Sequence, residues 1–200
     1  MDRTSPVLDF QTVHDRFRSQ VLRYLTRLVG ETEAQDLTQS VMLKVSEGLS
    51  SFRGDSSLST WIYRIATNTA LDTLRRKTSQ PLGEVDLEAD ETDVPEEAQT
   101  ASTEKTAIRE EMNACIREFI ERLPQDYKTV MVLSELEGFQ NAEIAAVLEI
   151  SLDTVKIRLH RAREKLRKSL GNGCNFYRDE CDELACDRKP TTTIEFRPHR

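Results

Sequence analysis

The chain predicts an all-α protein, with two small helical domains joined by an acidic flexible linker and followed by a cysteine-containing tail. Three observations carry that expectation. Apolar residues recur at steps of three and four through most of 10–77 and 105–170, the period of a helix with one buried face. Between these segments, 81–104 is acidic with no interrupting Lys or Arg. Near the end, 151–168 is apolar along one stripe and basic over the remaining surface. A composition of 38% apolar and 32% charged residues suits two small cores better than one large one. The expected units are therefore 10–77, a linker at 78–104, a second domain at 105–170 and a tail at 171–200.

The first predicted helix covers 10–29, where Phe10, Val13, Phe17, Val21, Leu25 and Leu28 keep helical spacing and Gly30 supplies a stop. Thr32 with Gln35 reads as a capping box opening a second helix to about Glu47, with Gly48 at its end. Leu37, Val41 and Val45 form its inward stripe, while Asp36, Gln39, Ser40, Leu43 and Glu47 face the other way. Leu43 is then an apolar residue on a polar face, either an ordinary exposed leucine or part of a docking surface. A small-residue loop at 50–59 precedes a third helix at 61–77. Trp61, Arg64, Asn68 and Arg75 cluster within about a third of its circumference, with Ile62, Ile65 and Thr69 near one side. A tryptophan beside two cations and an amide could stack on bases and hold phosphates, and a lone tryptophan could equally be core.

The stretch 81–104 cannot bury enough apolar surface to offset its ordering entropy, so it is expected to be a loose linker able to lie over nearby basic surfaces. Beyond it, Ile108, Met112, Cys115, Ile116, Phe119 and Ile120 predict a helix ending before Leu123-Pro124, with Cys115 a small core residue. A further helix at 126–136 turns Val130, Leu133 and Tyr127 inward and ends at Glu137-Gly138. Asn141 is the expected cap of a short helix to Leu148.

A turn then leads into the basic helix. Its inward stripe is Leu152, Val155, Leu159, Ala162 and Leu166, its cap is Ser151, and Asp153 puts an acid in the first turn. Lys156, Arg158, Arg161, Arg163, Lys165, Arg167 and Lys168 form the outer face. The pair reads as a helix-turn-helix, with small Ala145 at the crossing and Ile144, Leu148, Ile150, Leu152 and Val155 closing the wedge. Glu149 stands at a turn where the backbone tends towards positive φ, a geometry that costs a non-glycine residue energy. The combination predicts binding to duplex DNA.

A net charge of -7 does not oppose that reading, because the acids are concentrated in the linker. The N-terminus lacks the apolar core of a signal peptide, and no apolar run approaches the roughly 18 residues of a membrane span. A cytoplasmic location is expected. The cysteines are too few and too unevenly placed for a disulfide framework. Scattered histidines, and the want of a carboxylate pair or Gly-rich phosphate loop, speak against an enzyme.

Four runs carry a resemblance: DLTQSVMLKV at 36–45, FRGDSSLSTWIYRIATNTALDTLRRK at 52–77, LPQDYKTVMVLSELEGFQNAEIAAVLEIS at 123–151 and TVKIRLHRAREKLRK at 154–168. In that order, and separated by an acidic linker, they resemble an extracytoplasmic-function sigma factor of bacterial RNA polymerase. The resemblance spans about residues 10–170. It implies that the first domain is region 2 and the second region 4. Asp36, Leu37, Gln39, Ser40 and Leu43 would dock on the clamp helices of core RNA polymerase. The loop Arg53, Gly54, Asp55, Ser56, Ser57, Leu58 and Ser59, with Trp61, Arg64 and Asn68 beside it, would capture a flipped base at the -10 element. Ser151, Thr154, Lys156, Arg158, His160 and Arg161 would contact the -35 element. Ile157 departs from the small polar residue often found at its position, and could read a thymine methyl. An anti-sigma factor is a partner that the resemblance also admits.

The tail follows a predicted helix stop at 171–173. Cys174, Cys181 and Cys186, with nearby carboxylates and His199, could bind zinc or copper or respond to redox, although their spacing is not a standard zinc pattern. Reduced, inert thiols are the alternative, and no cofactor is required. Two rival functions stay open: a helix-turn-helix regulator binding duplex DNA without polymerase, and a metal- or redox-sensing regulator acting through the tail.

Overall fold

The computed structural model describes residues 9–79, 116–178 and 184–189. Helix α1 (Phe10–Val29) has the predicted bounds, and the Asp9 carboxylate caps it by accepting from the Thr12 amide at 3.1 Å. Gly30, at φ 92°, ends α1 and directly precedes α2 (Glu31–Gly48). The expected Thr32–Gln35 capping box is not formed, because α2 already begins at Glu31 and its cap position is the side-chain-free Gly30. Glu31 and Glu33 instead place negative charge in the first turn, where the helix dipole favours it. Ala34, Thr38, Val41, Met42 and Val45 are buried, and Leu37 packs at the margin of the core.

After a short 3₁₀ turn (Leu49–Ser51), α3 (Leu58–Ser79) starts three residues earlier than expected and overruns the predicted end. The early start has a local cause: the Ser57 hydroxyl accepts from the Thr60 amide at 3.0 Å. Gly48 is required for packing, since a Cβ there would lie 2.9 Å from Cζ2 of the Trp61 indole.

The second bundle comprises a helical stretch at 116–121, α4 (Gln125–Met131) running on into a π-helical turn (Val132–Leu136), α5 (Asn141–Leu148) and α6 (Leu152–Gly173). The cap of α5 is Gln140 rather than Asn141, and the Glu143 carboxylate accepts from the Gln140 amide at 2.9 Å. The acidic linker and residues 105–115, including Cys115, lie outside the described residues.

The glycines at 171 and 173 do not stop α6, which continues to Gly173 and passes directly into β1 (Cys174–Arg178). β1 pairs antiparallel with β2 (Leu184–Arg188), Cys174 facing Arg188 and Phe176 facing Cys186. The all-α expectation holds for both bundles, and this hairpin is an element it lacked. The hairpin is tied back to the second bundle by Arg188, whose guanidinium donates twice to Glu118, at 2.8 and 3.0 Å. Those bonds, helped by the charge of Arg122, hold the Glu118 carboxyl below the usual carboxylate range against an opposing effect of burial.

The two bundles share one apolar cluster, with α5 packed on α3. At their junction the Glu137 side chain, 9% exposed, accepts from Arg27 on one oxygen and from the Tyr63 hydroxyl on the other, at 2.6 Å. A file of rings runs beside it: Tyr24 against Tyr63 at 4.9 Å, then Tyr63 against Phe139 at 4.7 Å. Lys128 adds a cation at the end of α1, donating to the Leu28 carbonyl at 3.3 Å.

Glu137→Ala strands Arg27 and Tyr63 and is expected to cost about 2–4 kcal/mol in urea denaturation, with a larger radius of gyration by X-ray scattering. An unchanged midpoint and radius would refute the role given to Glu137. A second expectation concerns acid. Because the folded Glu118 pKa is lowered, its stabilisation of the hairpin is present above the unfolded value and lost as pH falls through the lowered one. Hydrogen exchange of the hairpin amides, corrected for intrinsic rates, should therefore accelerate on acidification below the ordinary glutamate range, and should already be fast at neutral pH in Glu118→Gln.

Candidate nucleic-acid interface

Helix α6 is set by its first turn. The Ser151 hydroxyl accepts from the Thr154 amide at 3.1 Å and also meets the Thr154 hydroxyl at 2.7 Å, fixing where the basic face begins. Just before it, Glu149 adopts the left-handed conformation at φ 55°, ψ 40°, as the turn requires. Val155, Leu159 and Ala162 are buried and Leu166 packs at the edge of the core, whereas Leu152, expected in the wedge, is 41% exposed. It is the first residue of the helix, so no preceding turn covers it.

The basic side chains lie over two grooves. One, of about 860 Å³, runs between the start of α4 and α6, lined among others by Arg122, Tyr127, Ile157, Arg158, Arg161 and Lys165. The other, of about 360 Å³, lies between Asn141 and the side of α6 bearing Lys156, His160, Arg163 and Arg167. Several of these cations are held by acids of the chain: Arg158 by Asp126 at 3.0 Å, Arg163 by Glu135 at 2.7 Å and Lys156 by Asp153 at 3.7 Å. Lys165 sits over the Tyr127 ring, 5.8 Å from its centroid. Arg161 and His160 are exposed on the outer face, and among the described residues no ion pair involves either.

In the first bundle the predicted loop residues divide. Arg53, Gly54 and Asp55 are exposed, Ser56 is half-buried, Ser57 is occupied as the cap of α3, and Leu58 and Ser59 are half-buried. Trp61 is half-buried on Gly48 and against Phe52, at 5.2 Å between ring centroids, so it packs on the first bundle while part of its surface stays exposed. Asn68 is exposed, and Arg64 reaches the second bundle, 3.7 Å from Glu149. On α2, Asp36, Gln39, Ser40 and Leu43 are exposed, with Leu43 at 61%, and Leu37 is half-buried.

Cys174 is buried at the base of the hairpin and Cys186 is half-buried, while Cys181 and His199 lie outside the described residues. Among the described residues no three metal-ligating side chains come together. No described helix is long and apolar enough to cross a membrane. Asp126, Arg122 and Tyr127 form the wall opposite α6, and Glu137, which the residue order marks only as a helix end, joins the bundles. Periodicity finds faces of single helices, and these residues acquire their positions from α4 lying against α6.

A helix-turn-helix with a capped cationic second helix, packed on another bundle bearing an exposed loop and a half-open indole, defines a DNA-binding protein of transcription. Residues 13–80 match Sigma-70 region 2, and residues 113–166 match Sigma-70, region 4. The chain belongs to the sigma-70 family of RNA polymerase sigma factors, of the extracytoplasmic-function type. It is 34% identical to the RNA polymerase sigma-H factor of Pseudomonas aeruginosa over 160 residues, 78% of this chain and 82% of that protein. To the ECF RNA polymerase sigma-E factor of Haemophilus influenzae it is 33% identical, over 80% of this chain and 87% of the relative. Among solved structures, the fold is similar to RpoE of Bartonella quintana, crystallised with the anti-sigma factor NepR. That match has TM-score 0.60 and 21% identity, and covers 80% of this chain and 95% of the other. CnrH, solved with the cytosolic domain of CnrY, matches with TM-score 0.57 at 23% identity, over 82% and 88% of the two chains.

Glu149→Gly removes the strain of a left-handed residue while giving up only an exposed partner of Arg64, and is expected to raise stability by about 0.5–1 kcal/mol in thermal unfolding. A lower melting temperature would mean that the Glu149–Arg64 contact outweighs the strain.

Proposed function

We propose that α6 enters the major groove of the -35 element, that the loop at Arg53–Ser59 with Trp61, Arg64 and Asn68 receives an unpaired base of the -10 element, and that the exposed face of α2 binds core RNA polymerase. The observation that carries this reading is the outer face of α6, where Arg161 lines one cationic groove and His160 the other. Most of the affinity comes from phosphates, which fit the groove margins at Arg122, Lys165, Arg163 and Arg167. Discrimination comes from the first three turns, where Ser151, Thr154, Lys156, Arg158, His160 and Arg161 reach base edges. Asp126 orients Arg158 before binding, which lowers the entropy lost on contact.

Strand opening by this route uses binding energy alone. Taking a base out of the stack costs a few kcal/mol, and stacking on the exposed part of the Trp61 indole returns it. Arg64 exchanges Glu149 for phosphate when the bundles separate on the promoter. Leu43 on α2 supplies the apolar centre of the polymerase contact, rimmed by Asp36, Gln39 and Ser40, the arrangement expected of a protein interface. The chain acts in the cytoplasm, without catalysis, and an anti-sigma factor holds it there, as NepR is found on the similar Bartonella protein.

Run-off transcription with core RNA polymerase tests the assignment. Leu43→Asp, at an exposed position, is expected to fold normally, abolish polymerase binding and leave binding to a -35 duplex intact. Arg161→Ala is expected to lower -35 affinity by about tenfold or more, corresponding to roughly 1–3 kcal/mol for one bidentate base contact. Normal transcription by Leu43→Asp would remove α2 from the polymerase interface. A chain that footprints duplex DNA alone but starts transcription at no promoter would favour the polymerase-independent regulator.

A further inference from the structure

One apolar side chain stands at the middle of the outer face of α6 near its start. Ile157 is 51% exposed and takes no part in the apolar cluster of the fold. It lies two residues from Val155 and two from Leu159, both buried, which at 100° per residue puts it about 160° from each, on the opposite side of the helix. Thr154 and Arg161 flank it on one side and Asp153 and His160 on the other, all within roughly 60°. Leu152, also exposed, points about 140° away and does not share this face. A β-branched residue gains nothing for an exposed helix, so the fold supplies no reason for Ile157.

Its surroundings specify the partner. Arg122, Arg158, Arg161 and Lys165, four cations against the single acid Asp126, border the groove that Ile157 lines, so the surface that covers it is anionic at its edges. A duplex major groove has this character, with phosphates at the rims and base edges along the floor. On that floor guanine, adenine and cytosine present donors and acceptors, and thymine adds a methyl group. Pressing isoleucine on a polar edge strips its water and returns no hydrogen bond, whereas pressing it on the methyl buries apolar surface against apolar surface.

We propose that Ile157 is a specificity-determining residue for the -35 element and selects one thymine through its 5-methyl group. The proposal rests on the reading of α6 as the recognition helix and adds the base that its central residue chooses. Arg161, at the next turn, contributes hydrogen bonds to a neighbouring pair, so apolar and polar recognition sit side by side on one face.

The test uses the full chain assembled on core RNA polymerase and a library of promoter duplexes randomised across the -35 element. The selected sequences are compared for the wild type, Ile157→Ser and Arg161→Ala. The expected result is that one thymine required by the wild type becomes indifferent in Ile157→Ser, while the other positions keep their preference. Replacing that thymine by deoxyuridine, which removes the methyl alone, is expected to weaken wild-type binding about fourfold, the worth of one buried methyl group. The same replacement leaves Ile157→Ser unchanged. If Ile157→Ser selects the wild-type sequence, or deoxyuridine binds as tightly as thymidine, while Arg161→Ala still alters the selection, the thymine contact is wrong and α6 remains the reading helix. If Arg161→Ala also leaves the selected sequence unchanged, α6 does not read the element and both proposals fall.

Discussion

The structure depends on the way Glu137 is held. A carboxylate so little exposed is tolerable only when its oxygens are occupied, and here one accepts from Arg27 and the other from Tyr63. Both donors belong to the first bundle and the acceptor to the second, so the contact joins parts of the chain more than seventy residues apart. Tyr63 is in turn fixed by its neighbours. Burial first, and then the hydrogen bond and charge of Glu137, push its hydroxyl well above the ordinary tyrosine range, so it stays a donor throughout the working pH range. Tyr24 behaves likewise, raised by burial, with its hydroxyl 2.7 Å from that of Thr67, which itself donates to the Tyr63 carbonyl. The polar network therefore threads the apolar core and sets the relative placement of α3 and α5.

That placement bears on the basic surface of α6. α6 takes its orientation from α4 and α5, and α5 rests on α3, so the basic helix and the helix bearing Trp61 are parts of one packed arrangement. The cations of α6 are not simply displayed to water. Asp126, Glu135 and Asp153 pair with Arg158, Arg163 and Lys156, a moderate self-neutralisation that limits repulsion among them.

Much of this was legible from residue order. The bounds of α1, the turn before α6, the cap at Ser151 and the left-handed geometry at Glu149 follow from local rules, because each depends on residues within one or two turns. The exposed positions of Leu43, Gln39 and Ser40 followed from period alone. The misreadings have physical causes. Thr32 had the right partner three residues on, but Gly30 allowed α2 to begin ahead of it. Glycines at 171 and 173 predict a stop, yet α6 runs through them into a strand whose partner lies ten residues further on. The cap at Ser57, by contrast, is a role that period alone does not announce, since it shows only once the start of α3 is placed.

The sequence by itself determined the helical class, the basic face of α6, the position of the turn before it and the family to which the chain belongs. These are matters of period, capping and residue type, all encoded locally. Only the tertiary structure decided that Trp61 closes over Gly48, that Arg188 folds the tail back onto Glu118, and that Glu137 joins the two bundles. Each of those depends on atoms brought together across the chain, and the energies that choose among such pairings reside in burial and hydrogen-bond completion rather than in any stretch of residues.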